Sequence, residues 1–195
     1  MSTSIDFYFD FGSPTAYLAY RRLHQLQSQY QCQINYHPVL LGGLFKATGN
    51  SSPVMVAAKA TYMMSHDLPR FVALYDVPFK SNPHFPINTL HLMRGAVALL
   101  KQDQFATYMD TVFNAIWVNS ENMGDAETVA KVLTNAGLDA QQIIASTQEP
   151  EVKAALIDTT EAAVKRGCFG APTMFIGDEM FFGQDRMQFI EMALQ

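Results

Sequence analysis

The sequence predicts an α/β fold in which a βαβ unit and a ββα unit share one mixed sheet, with an all-helical segment looped out between them. Three observations carry this. Apolar residues alternate strictly near the start and then recur at helical spacing. Strand-type patterning disappears between residues 42 and 167. It returns near the end as two short apolar runs around a Gly-Asp dipeptide. Residues 1–42 and 167–195 are thus expected to form one sheet-bearing domain, and residues 43–166 an inserted helical one.

The first strand is read over residues 5–11, with Ile5, Phe7, Phe9 and Phe11 on one face and Asp6, Tyr8 and Asp10 on the other. Gly12-Ser13-Pro14 stops the alternation. Ala16, Leu18, Ala19, Leu23 and Leu26 follow at helical spacing, with Ser13 placed to cap the helix and Pro14 at its first position. A second β-rich run, residues 33–41, completes a right-handed unit with parallel strands.

Helical patterns then cover residues 54–68, 68–75, 89–101, 104–117, 125–136, 140–146 and 150–166, with Asn88 and Asp139 as candidate caps. The densest break is residues 77–86, which holds Pro78, Pro83 and Pro86. After Gly167, residues 173–176 and 180–182 read as strands, and Gly177-Asp178 between them is the signature of a type II′ hairpin. Asp185-Arg186-Met187-Gln188 resembles a capping box that opens a short amphipathic last helix.

Composition narrows the function classes. The chain has 195 residues, of which 49% are hydrophobic and 16% charged, enough for one good core and far from the signature of disorder. Its net charge is −5, and no segment gathers Lys and Arg into a stripe that would neutralise phosphates, which argues against nucleic acid as a partner. No apolar run is long enough to span a bilayer, and MSTSIDFYFD lacks the basic and apolar regions of a signal peptide, so a cytoplasmic protein with no membrane partner is expected. Cys32 and Cys168 lie far apart and form neither a C-x-x-C pair nor a metal knuckle; two buried free thiols are expected, and no metal site.

Ser13 is the sharpest candidate for chemistry. A polar side chain at a helix N-terminus stands beside unsatisfied N–H groups and the positive end of the helix dipole, a place that favours anions. It is also an ordinary capping position, and the two roles can coexist. A serine nucleophile is disfavoured, because Phe11 and Thr15 stand where a G-x-S-x-G elbow needs glycines. His24, His37, His66, His84 and His91 show no metal-binding spacing, and Glu149 and Glu151 read as solvated charge. The other informative segment is Gly170-Ala171-Pro172-Thr173. A trans proline opening a strand is commonplace, whereas a cis Ala171–Pro172 bond would turn the Ala171 backbone outward toward a ligand.

A strand, a helix carrying the reactive position at its N-terminus, and a later G-x-P-T segment before a hairpin resemble the thioredoxin fold with a helical insertion. The position of the C-x-x-C site reads Ser13-Pro14-Thr15-Ala16, so dithiol redox chemistry there is excluded. Within that superfamily the chain resembles the 2-hydroxychromene-2-carboxylate isomerases and the kappa-class glutathione transferases. The segments that carry the resemblance are FYFDFGSPTAYLA, PVLLGGLFKATGN, KATYMMSHDLPR, NPHFPINTLHLMR, GCFGAPTMFI and FFGQDRM, and they occur in that order along nearly the whole chain.

The resemblance implies glutathione as cofactor and a small aromatic carboxylate as substrate, in a homodimer. It implies that Ser13 holds the sulfur of glutathione as thiolate, that Asn50 and Lys59 contact the tripeptide, and that Ala171 before cis Pro172 pairs with its cysteinyl backbone. Gln184 and Asp185 would take the γ-glutamyl end, with Arg186 nearby, and Lys46 would meet the substrate carboxylate. The reaction implied is a cis-trans isomerisation of aromatic pyruvates by reversible thiolate addition, bond rotation and elimination. A kappa-like transferase and a glutathione-binding module without activity are the alternatives.

Overall fold

A computed structural model describes residues 3–195, so the first two residues of the expected sheet-bearing segment lie outside it. Its sheet has the order β2-β1-β3-β4, formed by β1 (Ser4–Phe9), β2 (Gln33–Pro38), β3 (Thr173–Ile176) and β4 (Glu179–Phe182). β1 and β2 are parallel, joined through helix α1 (Pro14–Tyr30), while β3 runs antiparallel to both β1 and β4. In the β3–β4 turn Gly177 takes φ +59° and Asp178 is not among the positive-φ residues, as a type II′ turn demands.

Between β2 and β3 lie α2 (Leu41–Thr48), a 3₁₀ turn at Pro53–Met55, α3 (Ala57–Tyr62), a π-helical turn at Met63–Asp67 and α4 (Leu68–Tyr75). Then come α5 (Leu90–Leu99), α6 (Phe105–Trp117), α7 (Ala126–Asn135), α8 (Ala140–Ser146) and α9 (Pro150–Lys165), and the chain ends in α10 (Met187–Leu194).

The strict alternation of β1 dictates the packing. Ile5, Phe7, Phe9 and Phe11 are fully buried on one side of the sheet, where Phe113 of α6 meets the rings of Phe9, Phe11, Tyr17 and Tyr20. The opposite face is covered too: Tyr8 and Phe175 pack with Val39, Leu44, Ala163 and Cys168. The aromatic core therefore runs without a break from the sheet into the inserted helices.

Three expected boundaries are corrected. The second strand ends at Pro38, and Leu41 already opens α2, a helix the Gly42-Gly43 pair concealed. Its first N–H, from Leu41, is taken by Asp10 Oδ2 at 2.9 Å, a cap supplied from far along the chain. The expected capping box at residues 185–188 does not form: residues Gln184–Arg186 make a 3₁₀ turn, no side chain caps α10, and the Asp185 carboxylate pairs with Arg186. Thr89, not Asn88, is the N-cap of α5, although Asn88 Oδ1 still accepts from Leu90 N–H at 3.1 Å.

Candidate active site

The end of β1 and the start of α1 place Ser13 on the wall of a cleft of about 780 Å³. Its Oγ accepts from Ala16 N–H at 3.1 Å and so caps α1, while its hydroxyl donates to the Ala171 carbonyl at 3.1 Å. Thr15 Oγ1 stands 2.9 Å from the same oxygen. The first turn of α1 contains no acidic side chain, so nothing within the helix offsets its positive end. Ser13 is only 5% exposed, which keeps its hydroxyl dipole in a poorly screened setting.

The opposing wall comes from the segment before β3. The Ala171–Pro172 bond is cis, and both residues line the cleft. The Ala171 carbonyl is occupied by Ser13, whereas no hydrogen bond is recorded for its N–H among the described residues. Of the expected site residues, Asn50, Lys59, Gln184 and Asp185 line this cleft together with Ser13, Ala171 and Pro172. Asn50 Nδ2 donates to the Phe169 carbonyl at 2.9 Å, tying the loop after α2 to the cis-proline segment. Arg186 is not on the cleft wall, and its guanidinium pairs with Asp185.

Lys46, expected beside this cleft, points elsewhere. Helix α2 is a partition: Leu41 and Phe45 face the Ser13 cleft, and Gly43, Lys46 and Ala47 line a separate cavity behind it. The sequence reading also passed over the cleft's aromatic side, where Phe45, Tyr62, Phe85, Phe169 and Phe182 offer flat apolar surface. Nothing in their spacing signals it, since they come from five separate segments. Thr15 was legible in principle, lying two positions after Ser13 in the first helical turn.

Asp10 is a further residue of the site that sequence patterning does not single out. It is buried and accepts from Gly12 N–H at 2.9 Å and Thr89 Oγ1 at 2.6 Å besides Leu41 N–H. One carboxyl thereby holds the Ser13 loop, α2 and the start of α5. Burial pushes it above the usual carboxylate range, against hydrogen bonds that favour its charged form. A carboxyl raised on folding contributes stability while both states are protonated, and the contribution is lost as pH climbs from the ordinary value through the raised one. Asp10→Asn removes that slope. Urea unfolding at a series of pH values should find the variant less stable by about 1–3 kcal/mol at the acid end, with the gap narrowing as pH rises. A gap independent of pH would show that Asp10 keeps an ordinary titration.

The two cysteines are free and buried, and burial pushes the Cys168 thiol up to about 11, so it is inert at neutral pH. Among the described residues no group of His, Cys, Asp and Glu is arranged to hold a metal, and no helix is long and apolar enough to cross a membrane.

Residues 4–195 match the model of the DSBA-like thioredoxin domain. A 2-hydroxychromene-2-carboxylate isomerase of Sphingobium xenophagum is 33% identical over 196 residues, covering 100% of this chain and 99% of that one. A solved structure of a 2-hydroxychromene-2-carboxylate isomerase superposes with a TM-score of 0.88 at 32% identity, covering 98% of this chain and 94% of the other. Glutathione S-transferase kappa 1 of Caenorhabditis elegans is more distant, at 29% identity over 98% of this chain and 90% of the relative.

Proposed function

The chain belongs to the 2-hydroxychromene-2-carboxylate isomerase family of DSBA-like thioredoxin domains, and from that premise we propose that it is a glutathione-dependent isomerase of aromatic pyruvates. The observation that carries the reading is the replacement of the C-x-x-C pair by Ser13-Pro14-Thr15-Ala16 in an otherwise intact fold: a site that favours an anionic sulfur holds no sulfur of its own. A cytoplasmic location and a homodimeric assembly belong to the same reading.

The residues fit the tripeptide. Ala171 has an N–H with no recorded partner beside Ser13, and Lys59 and Asp185 place opposite charges on one cleft of suitable volume. Asn50 and Gln184 would complete its contacts, with Arg186 behind Asp185. Glutathione held by these residues would supply a nucleophilic thiolate suited to reversible addition at the conjugated carbon of the substrate.

What the chain contributes is position and charge. Ser13 Oγ–H can turn from the Ala171 carbonyl to an anionic sulfur, and the N-terminus of α1 lowers the cost of that charge. Thr15 Oγ1, close to Ser13, can take over as partner when the hydroxyl turns. The aromatic wall around Phe45 and Phe169 excludes water and holds a flat substrate against the site.

The fate of the thiol tests the reading. Glutathione at a small fraction of the substrate concentration should carry 2-hydroxychromene-2-carboxylate to equilibrium with trans-o-hydroxybenzylidenepyruvate, with free thiol unchanged before and after. Conjugation of a halodinitrobenzene should be slow. The likeness to the kappa-class transferase supports the rival, and stoichiometric loss of thiol without interconversion would establish it instead.

A further inference from the structure

Behind α2, and sharing no lining residue with the Ser13 cleft, lies a second cavity of about 600 Å³ between α2, α5 and α9. Four cationic side chains line it, Lys46, Arg94, Lys153 and Lys165, against the single carboxylate of Glu161. In a chain whose net charge is −5, that concentration is unexpected. None of the four is in an ion pair among the described residues, and Arg94 Nε is buried without a hydrogen-bond partner. Such a donor and such a gathering of like charge are both relieved by an anion.

Apart from Thr160, the rest of the lining is apolar. Leu40, Leu90, Leu156 and Val164 form the walls, and Ile157, 58% exposed, stands at the mouth. The walls are held close together rather than loosely apposed. Thr160 Oγ1 accepts from Leu40 N–H at 3.1 Å and donates to the Leu156 carbonyl, and a Cβ at Gly43 would stand 3.1 Å from Thr160 Cγ2. Glycine is what lets α2 approach α9 this closely.

We propose that this cavity is a second binding site, for an apolar carboxylate whose hydrocarbon body lies on the leucines and whose charge meets Arg94, Lys153 and Lys165. The occupant rests on Gly43 and Lys46 of α2, the helix whose other face walls the Ser13 cleft. The site is independent of the proposed isomerase activity, and binding can be measured without glutathione or turnover.

Calorimetric titration of the full chain with 1-naphthoate, dodecanoate and neutral 1-naphthalenemethanol tests it. A carboxylate should bind one per chain and the alcohol at least about tenfold more weakly, the loss expected for a charge-assisted contact. Preference for naphthoate or for dodecanoate then assigns an aryl or an acyl source. Lys153→Glu and Lys165→Glu, on helix positions that leave the core intact, should each weaken binding about tenfold, Arg94→Gln likewise, and Ser13→Ala should leave it unchanged. Equal binding of the alcohol would overturn the proposal, as would carboxylate binding that Ser13→Ala or added glutathione abolishes. So would an absence of carboxylate binding, including the case where sedimentation shows the face buried in a dimer that Lys153→Glu dissociates.

Discussion

Ser13→Ala should lower kcat by about 10²-fold or more while changing the affinity for glutathione only a few-fold. On the proposed reading the hydroxyl is a donor to the anionic sulfur, and removal of one preorganised donor of this kind typically costs that much. The remaining contacts expected for the tripeptide, at Asn50, Lys59, Ala171, Gln184 and Asp185, are untouched by the substitution. The variant also loses the cap on Ala16 N–H, which costs about 0.5–2 kcal/mol of stability, so unfolding must be measured beside the kinetics. The ionisation seen in the pH–rate profile should move up toward that of a free thiol, ~8.5. Wild-type turnover in Ser13→Ala at every pH would remove Ser13 from the mechanism and leave it a helix cap.

Trp117→Ala should destabilise the fold by about 3–5 kcal/mol, the cost of deleting a large buried aromatic side chain. Trp117 has no exposed surface, and its ring stacks on Phe79 and lies against Phe85. Its indole N–H donates to the Phe11 carbonyl at 2.8 Å, two residues before Ser13. Trp117→Phe separates the two contributions. It keeps most of the packing and leaves the Phe11 carbonyl unpaired, for an expected loss of about 1–3 kcal/mol. Chemical denaturation of both variants gives the comparison, and a loss below about 1 kcal/mol in Trp117→Ala would mean that the inserted helices do not support the loop.

The order of elements was legible in the sequence wherever the determining interactions are local. The alternation of Ile5, Phe7 and Phe9, the Ser13-Pro14 start of α1, the Asp139 cap and the Gly177 turn all act within a few residues, and each is found where the pattern puts it. Helix α2 escaped because its first N–H is satisfied by Asp10 from far along the chain, and Gly43, a poor helix former, serves an approach to α9. Lys46 was set beside the cleft by resemblance alone, whereas on α2 it shares a face with Gly43 and not with Phe45. The last helix was misjudged at Asp185 because Arg186 takes the carboxylate and residues Gln184–Arg186 wind as a 3₁₀ turn. For the cleft, the family resemblance named Ser13, Asn50, Lys59, Ala171, Pro172, Gln184 and Asp185, which line one wall system together. The aromatic side was hidden, since its rings come together only through tertiary folding.

The burial of Cys32 and Cys168 bears on how such an enzyme would age. Neither thiol lines the Ser13 cleft, Cys168 has no exposed surface and Cys32 has 5%. On the proposed reading the sulfur that does chemistry enters and leaves with a small diffusible molecule. Peroxide that converts it to a sulfinic or sulfonic acid would spoil a replaceable reagent and leave the polypeptide intact, whereas the same lesion on a catalytic cysteine is permanent or needs dedicated repair. Oxidative stress would then limit this protein through the supply of reduced thiol around it, and activity should return when that pool is replenished, without new protein synthesis.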